Sequence, residues 1–162
     1  MFYTVNINFT AMPSITLKRT NSNDPDFKIL TTELDADLRL RNGEMMDIYD
    51  QHNVIEQIDT VIIAYVDNLP AGCGCFKPYD NEAVEIKRMF VRPEARGNRI
   101  SSRVLNELEA WAAEFGFTAT VLETASKQVE AQSLYQKSGY ERVPNYGPYT
   151  NLPYSFCYRK QL

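Results

Sequence analysis

The sequence predicts a mixed α/β (α+β) fold built as a single domain. Its 162 residues are enough for one domain that buries a substantial core. Two apolar runs separated only by Asp67-Asn68 predict a hairpin of antiparallel strands. From residue 83 onward, strand-like and helix-like segments alternate, which is typical of βαβ units. An antiparallel hairpin followed by βαβ units therefore defines the predicted fold class.

The first elements are a strand and two helices. Alternating residues predict a strand over Ile15–Arg19, and the polar segment 21–26 predicts a turn. A helix should follow Asp26 and end at Gly43. Its apolar residues recur at helical spacing and are Ile29, Leu30, Leu34 and Leu38. A second, short helix is expected over Glu44–His52.

Three strands come next. Val61–Val66 and Leu69–Phe76 are the two arms of the hairpin, and Ala83–Val91 is a third strand that Pro93 ends. Alternation with a period of two assigns the residues of this third strand to two faces. One face has Glu85, Lys87, Met89 and Val91, and the other has Val84, Ile86, Arg88 and Phe90.

The second half of the chain contains the strongest helix signal. An apolar stripe that Gly116 closes consists of Ile100, Val104, Leu105, Leu108, Trp111, Ala112 and Phe115. A strand is predicted over Thr118–Glu123, a helix over Lys127–Ser138 before Gly139, and a final strand over Tyr154–Arg159.

Composition indicates the cellular location of the protein and the extent of its domain. The chain is 44% hydrophobic and 23% charged, and no segment approaches the roughly 18 apolar residues of a membrane span. Residues 1–11 lack the basic start and the apolar run of a secretory signal. We therefore expect a cytoplasmic protein that binds no membrane, with residues 1–12 as a tail outside a domain of residues 13–162.

Charge and cysteine content exclude several classes of partner. A net charge of −4 argues against nucleic acid, because neutralising phosphates requires a basic face. Three cysteines and His52 do not supply four ligands at recognisable spacing, so we expect no metal. His52 is interpreted as a solvated helix-end residue, since no nucleophile pattern accompanies it. A disulfide framework is not expected either.

The charges are distributed unevenly along the chain. Acidic residues concentrate before residue 51, and basic residues concentrate between residues 87 and 103. This asymmetry favours an anionic ligand at the middle of the chain and a cationic ligand near the first third, such as a polyamine. Ordinary solvated helix faces explain the acidic cluster equally well.

The junction between the third strand and the strong helix has the chemistry of a phosphate site. The first turn of a helix presents unpaired backbone N–H groups and the positive end of the helix dipole. Gly97 lets the backbone approach a ligand closely, and the side chains around it add donors. The candidate residues are Arg96, Gly97, Asn98, Arg99, Ile100, Ser101 and Ser102. Taken alone, the segment also fits an ordinary loop.

Together with the segments that follow, this junction resembles the GNAT (GCN5-related) N-acetyltransferase superfamily. The resemblance covers Ala83–Tyr140 and includes the phrase Leu-Tyr-Gln-Lys-Ser-Gly-Tyr at residues 134–140. In the family signature Q/R-x-x-G-x-G/A, Arg96 supplies the first position, Arg99 replaces the first glycine and Ser101 takes the last position. The resemblance implies a mixed, largely antiparallel sheet of six to seven strands, splayed in the middle and flanked by about four helices.

The resemblance also implies a coenzyme site and catalytic groups. Met89, Phe90 and Val91 would bind the pantetheine arm through their backbone, and Met89 or Phe90 would supply an oxyanion donor. Gln128 is similar in position to the asparagine with which the family holds the pantetheine amides. Arg99 would offset its missing glycine by contacting a phosphate.

Two side chains are the expected catalytic residues. Tyr135 is similar in position to the family's proton donor for the coenzyme sulfur, and Glu85 to the general base of some members. Each has an alternative: Tyr135 as a core aromatic, and Glu85 as the ion-pair partner of Lys87 or Arg88. Segment 143–149 is interpreted either as a wall of the acceptor pocket or as a rigid turn, and Tyr79, Glu82 and Cys73 are further candidate wall residues.

The implied function is acyl transfer from acetyl-CoA, as cosubstrate, to a primary amine of a small molecule or protein. An alternative from a different class is a catalytically silent module that senses acyl-CoA or binds a partner, which the incomplete glycine signature would allow. A homodimer is kept as an expectation for the assembly.

Overall fold

The computed structural model describes residues 11–43 and 56–162, and in it helices cover both faces of one sheet. The strands are β1 (Ile15–Thr20), β2 (Val61–Val66), β3 (Leu69–Pro78), β4 (Ala83–Val91), β5 (Ala119–Ala125), β6 (Glu141–Val143) and β7 (Ser155–Gln161). The helices are α1 (Pro25–Asn42), α2 (Ile100–Glu114) and α3 (Val129–Lys137). Single 3₁₀ turns lie at Pro93–Ala95 and Gly147–Tyr149.

The sheet has seven strands in the order β1-β2-β3-β4-β5-β7-β6. The neighbours β4 and β5 are parallel, and the other pairs are antiparallel. The predicted mixed and largely antiparallel sheet is therefore confirmed. Among the strands of residues 11–43 and 56–162, only β6 was not located from the sequence. Three α-helices lie in the described residues against about four predicted, and the predicted helix over Glu44–His52 falls outside those residues.

The β2–β3 hairpin turns at the dipeptide that predicted it. Asp67 has φ 48° and Asn68 has φ 67°, so both central residues of the turn are left-handed, as a two-residue type I′ hairpin requires. Asn and Asp tolerate this conformation better than other residues with a side chain. The local sequence thus sets the register of β2 and β3 next to the turn, as far as the register shift between Ala64 and Tyr65.

Helix α1 covers one face of the sheet. The Asp24 carboxylate accepts a hydrogen bond from the Asp26 N–H at 3.0 Å, and Pro25 opens the helix, which together satisfy the N-terminus. The cluster beneath α1 consists of Phe27, Leu30, Leu34, Leu38, Ile58, Val61, Ile63, Cys73, Cys75 and Phe90. Ile29, predicted on the apolar face, is instead half exposed.

Helix α2 packs on the opposite face, against the alternate residues of the same strands. Ile62 and Ala64 of β2 belong to this cluster, whereas Val61 and Ile63 belong to the α1 side. Phe115 was predicted to continue the apolar stripe of α2, but it is 61% exposed. It lies one residue beyond the last helical turn, where the helical spacing no longer directs it at the sheet.

The predicted alternation of β4 is wrong beyond its middle. The register of β4 against β3 shifts between Cys73 and Cys75, and Arg88 has φ 59°, so a β-bulge interrupts the strand. Ile86 and Met89 consequently both pack on the α2 side, while Phe90 packs on the α1 side. One extra residue exchanges the two faces, which a strict period of two cannot anticipate.

The sheet parts between β4 and β5. Their pairing runs only from Ala83 opposite Ala119 to Ile86 opposite Leu122. Beyond these residues the two strands make no further pairs, and a cleft opens between the end of β4 and the end of β5. The splayed centre that the resemblance implied is present, and it positions the candidate site.

Candidate functional site

A cleft follows the gap between β4 and β5, with α1 above it and α3 along its side. Two adjoining cavities make up this cleft, and both are lined by Leu34, Met89, Gln128, Ala131 and Tyr135. The inner cavity reaches Arg88 and Glu123, and the outer one reaches Arg96 and Ser101. The cleft thus connects the middle of the sheet to the start of α2.

The start of α2 offers a row of open backbone donors. Among the described residues, no backbone acceptor is bonded to the N–H groups of residues 97–102, whereas the N–H groups of Ala95, Arg96 and Arg103 are engaged. Gly97 has φ 84°, and a Cβ placed on it would meet nothing within 4 Å. The turn before α2 therefore has the open N–H groups and the room that an anion needs.

The side chains of this turn differ in their contacts: those of Arg96 and Asn98 bond to backbone carbonyls, and that of Arg99 is exposed. The Arg96 guanidinium donates from Nε to the Val91 carbonyl at 3.1 Å and lies 3.9 Å from Asp37. Arg99 is exposed and left-handed, with φ 58°, the conformation that glycine adopts freely. Asn98 donates to the Ala95 carbonyl at 3.0 Å, so its side chain braces the turn.

The remaining coenzyme candidates differ in what they present. Ile100 and Phe90 are buried in the α2 and α1 clusters, so only their backbone is available. Ser102 is partly buried. Gln128 accepts hydrogen bonds at Oε1 from Thr124 Oγ1 (2.8 Å) and from the Ala125 N–H (3.1 Å). Its amide oxygen therefore closes the β5–α3 turn, and the residue lines both cavities of the cleft.

Tyr135 lies on α3 with its ring packed at the back of the cleft. The centroids of Tyr140 and Tyr158 are 5.7 and 6.3 Å away. Burial, reinforced by the charge of Glu123, raises the pKa of Tyr135 well above its usual value. The phenol therefore stays protonated at neutral pH. Tyr135 contributes both to the core cluster and to the cleft.

Glu123, at the end of β5, is an ionisable residue of the cleft that sequence reasoning did not single out. Burial raises its pKa to about 7, and the nearby Glu85 charge adds to the shift. Ser155 donates a hydrogen bond to the carboxylate, while Oε1 has no partner among the described residues. A glutamate in a strand otherwise formed of Ala, Thr, Val and Leu was the available signal.

Glu85 is held by two neighbours on β4 and in the loop before β7. The Tyr146 hydroxyl donates to Glu85 Oε2 at 2.8 Å, and Lys87 Nζ lies 3.6 Å from Oε1. Glu85 is buried and does not line either cavity. The ion pair with Lys87, which the sequence left open, is therefore present, and the structure brings Glu85 beside the cleft rather than into it.

The loop over residues 143–149 is a rigid structure that also contacts the site. Asn145 Nδ2 donates to the carbonyls of Tyr149, Leu152 and Ser155 at 2.9–3.2 Å. The ring of Tyr146 packs against Tyr79 at 4.9 Å. The interpretation as a rigid turn is therefore confirmed, whereas no residue of this loop lines either cavity of the cleft, so the wall of an acceptor pocket stays a prediction. Of the other candidate wall residues, Cys73 is buried in the α1 cluster and Glu82 pairs with Arg159.

Three of the four acidic residues of α1 are paired with arginines, whereas Asp26 accepts a hydrogen bond from the Tyr65 hydroxyl at 2.7 Å. Glu33 bonds Arg92 at 2.7 Å and Asp35 bonds Arg88 at 2.8 Å. The Arg92 guanidinium holds the pKa of Glu33 below its usual value. Asp37 lies 3.2 Å from Arg41. The arginines compensate the charges of Glu33, Asp35 and Asp37, which argues against a cationic ligand at these three residues. Glu44, Asp47, Asp50 and His52 lie outside the described residues.

No helix in residues 11–43 and 56–162 has both the length and the apolar character needed to cross a membrane.

Comparisons with known proteins point in one direction. Residues 27–140 match the model of the Acetyltransferase (GNAT) family. An IAA acetyltransferase of Azospirillum brasilense is 32% identical over 154 residues, which are 93% of this chain and 100% of that protein. An inferred acyl-CoA N-acyltransferase of Klebsiella pneumoniae is similar in structure, with a TM-score of 0.73 and 26% identity over 91% of this chain and 97% of that chain.

A further solved structure carries the coenzyme. A GNAT family acetyltransferase of Elizabethkingia anophelis, solved with acetyl-CoA bound, shares the fold with a TM-score of 0.64. It is 20% identical, over 91% of this chain and 98% of that chain.

Proposed function

The chain belongs to the GNAT family of acetyltransferases, and from this premise we propose that it transfers an acetyl group from acetyl-CoA to a primary amine. The observation that carries the proposal is the cleft between β4 and β5. This cleft leads from the open N–H groups after Gly97 to a buried carboxyl group, Glu123, and a protonated phenol, Tyr135. A domain of residues 13–162 and a cytoplasmic location belong to the same proposal.

The residues at the mouth of the cleft fit a diphosphate. Open N–H groups at a helix N-terminus bind anions through hydrogen bonds and through the helix dipole. Arg96 and Arg99 add positive charge on either side of Gly97. Ser101 and Gln128 line the path inward, where their hydroxyl and amide groups suit the hydroxyl and amide groups of a pantetheine arm.

Different residues inside the cleft serve as the general base and the general acid. Acetyl-CoA supplies the acetyl group as an activated thioester. Glu123 accepts the proton of the amine, because a carboxyl group with a pKa of about 7 is half ionised at neutral pH and holds a proton more strongly than an ordinary glutamate. Tyr135, kept protonated by burial, donates the proton to the departing sulfur. The backbone N–H of Met89 or Phe90 is the proposed donor to the oxyanion.

This assignment moves the base from Glu85 to Glu123. Glu85 is already bonded to Tyr146 and paired with Lys87, and it lines neither cavity, whereas Glu123 lines the inner one. The charge of Glu85 instead helps to keep the pKa of Glu123 high. Glu85→Gln should therefore lower the pKa of Glu123 and shift the rising limb of the pH profile of kcat/KM to lower pH, without abolishing turnover.

The test is release of free CoA thiol across a panel of primary amines, with IAA, the compound in the name of the Azospirillum relative, assayed separately because it carries no primary amine. Wild-type protein should turn over at least one amine. Tyr135→Phe and Glu123→Gln should each lower kcat by about 10²-fold or more while the Kd for CoA changes less than threefold. Tight binding of CoA without turnover on any acceptor would favour the silent sensor instead.

A further inference from the structure

Two buried side-chain atoms in the described part of the chain lack a hydrogen-bond partner, and they belong to residues of the same cavity. One is a donor, Arg88 Nε, and the other is an acceptor, Glu123 Oε1. Both residues line the inner part of the cleft. A buried polar atom without a partner costs about 1–3 kcal/mol, and native structures contain few of them. A complementary pair in one cavity therefore indicates a ligand that satisfies both atoms.

Arg88 is held firmly in place. Its side chain is 4% exposed. Nη1 donates to Asp35 Oδ1 at 2.8 Å and Nη2 donates to the Thr31 carbonyl at 3.1 Å. The bulge at this residue, with φ 59°, turns the side chain toward α1. Nε is thus the one nitrogen of a fixed guanidinium that is left for a ligand.

The partner of Nε need not be charged. Asp35 already compensates the Arg88 charge, so an uncharged carbonyl oxygen can accept the hydrogen bond without leaving a buried charge unpaired. A carboxylate oxygen would also fit, because Lys87 lines the same cavity. The shared requirement is a carbonyl oxygen within reach of Arg88 when an amine lies at Glu123.

We propose that the acceptor is an α-amino carbonyl compound, in which Arg88 Nε binds the oxygen on the carbon next to the amine while Glu123 Oε1 accepts from the amine. This inference rests on the proposed function and names its substrate class. A plain amine would satisfy Glu123 and leave Arg88 Nε unpaired. Free amino acids, amino amides and peptide N-termini all offer the required pair of groups.

A binding experiment tests the inference without requiring turnover. L-Alaninamide and isopropylamine differ by the carboxamide, and both are titrated calorimetrically onto the protein in excess CoA. Arg88→Lys keeps a cation for Asp35 and removes Nε. It should weaken binding of L-alaninamide about tenfold or more, as expected for a hydrogen bond from a charged donor. Binding of isopropylamine should change less than twofold.

The comparison of two ligands with two proteins cancels differences in basicity between the ligands. Arg92→Lys is the matched control: its Nε is already bonded to Glu33 at 2.8 Å, so both ligands should bind as they do to the wild type. Equal losses for both ligands in Arg88→Lys, or no loss for either, would overturn the inference.

An NMR measurement on the wild-type protein tests the same inference without requiring that a variant folds. The Nε–H resonance of Arg88 should shift on addition of L-alaninamide and stay in place with isopropylamine; identical responses would contradict the proposal. Glycine and a tetrapeptide that begins with alanine then distinguish a free amino acid from a peptide N-terminus as the acceptor. A closed pocket binds only glycine. Since no acetyl transfer is measured, loss of catalysis and loss of this selectivity are distinguishable failures.

Discussion

The Tyr146 hydroxyl donates a 2.8 Å hydrogen bond to Oε2 of Glu85, joining the loop before β7 to the middle of β4. Glu85 is 5% exposed, so this bond replaces the water that the carboxylate loses on folding. Burial and the Glu85 charge raise the pKa of Tyr146 far above its usual value. The phenol therefore remains a donor over the whole neutral range and fixes Glu85 beside Glu123.

Tyr146→Phe should destabilise the fold by about 1–3 kcal/mol, because it leaves a buried carboxylate oxygen without its donor. For a chain of this length, 1 kcal/mol corresponds to about 2–4 °C in Tm, so thermal unfolding at pH 7 measures the effect. Tyr79→Phe is the control: its ring touches Tyr146 but it is half exposed, and its Tm should change by less than 2 °C. Because both variants keep their rings, a loss in Tyr146→Phe no larger than that in Tyr79→Phe would show that the hydrogen bond to Glu85 does not stabilise the loop.

Glu123→Gln should make the fold more stable at pH 8 while it impairs catalysis. The pKa of Glu123 in the folded chain is about 7, above its ordinary value of 4.5, so the folded chain binds this proton more tightly than the unfolded chain. The stability linked to the proton is complete below pH 4.5 and is lost as the pH rises through 7. Glutamine keeps a neutral group, so the variant avoids a loss of about 1–3 kcal/mol at pH 8.

Chemical denaturation of both proteins at pH 4.5 and pH 8 measures this difference. The variant and the wild type should have similar free energies of unfolding at pH 4.5, where Glu123 is protonated in the folded chain. They should diverge as the pH rises, with the variant the more stable. Glu82→Gln alters an exposed glutamate and should show no such divergence. A wild type that is more stable than Glu123→Gln at pH 8 would refute the raised pKa.

Most of the fold could be predicted because local signals and burial agree. The turn at Asp67-Asn68, the apolar stripe of α2 and the glycines that end helices each specify an element without long-range information. Strand β6 was not predicted because it has only three residues, two of them exposed, and so few residues show no periodicity. Its place at the edge of the sheet follows from pairing with β7, which is a tertiary contact.

The candidate site was less accessible to sequence reasoning, for two physical reasons. The bulge at Arg88 exchanges the faces of β4, and its cause is a backbone conformation that no residue type at that position announces. Glu123 acquires its raised pKa from burial and from Glu85, 38 positions earlier in the chain. Spacing along the chain could identify the turn at Gly97, whereas the juxtaposition of Arg88 and Glu123 exists only in the folded protein.

Gly74→Ala should destabilise the fold by about 1–3 kcal/mol through overpacking. Gly74 lies opposite the bulge, and a Cβ placed on it would come within 2.5 Å of Met89 Sδ and 3.0 Å of Leu108 Cδ1. Urea denaturation measures the loss. Met89→Ala removes the nearest of these atoms, so the double variant should lose less than the sum of the two single losses. Strict additivity would show that Met89 and the added methyl group do not meet.

Arg99→Gly separates the strain of the turn from its charge. Arg99 is left-handed, with φ 58° and ψ 25°, a conformation that costs a residue with a side chain about 1 kcal/mol and glycine nothing. The free energy of unfolding of the variant should therefore lie within about 1 kcal/mol of the wild-type value. Relief of strain in the folded chain offsets the greater conformational freedom of the unfolded chain. The binding of CoA by the variant should nevertheless weaken about threefold to tenfold, since one cation beside the open N–H groups is lost.

Calorimetric titration of CoA at two salt concentrations distinguishes charge from conformation. If Arg99 acts on the phosphates through its charge, wild-type affinity should fall with added salt more steeply than that of Arg99→Gly, because mobile ions screen exposed charges. Arg99→Lys keeps the charge and the strained backbone, so it should retain most of the affinity. Tighter binding of CoA by Arg99→Gly would instead mean that the arginine obstructs the turn, and that close approach of the backbone to the phosphates outweighs the added charge.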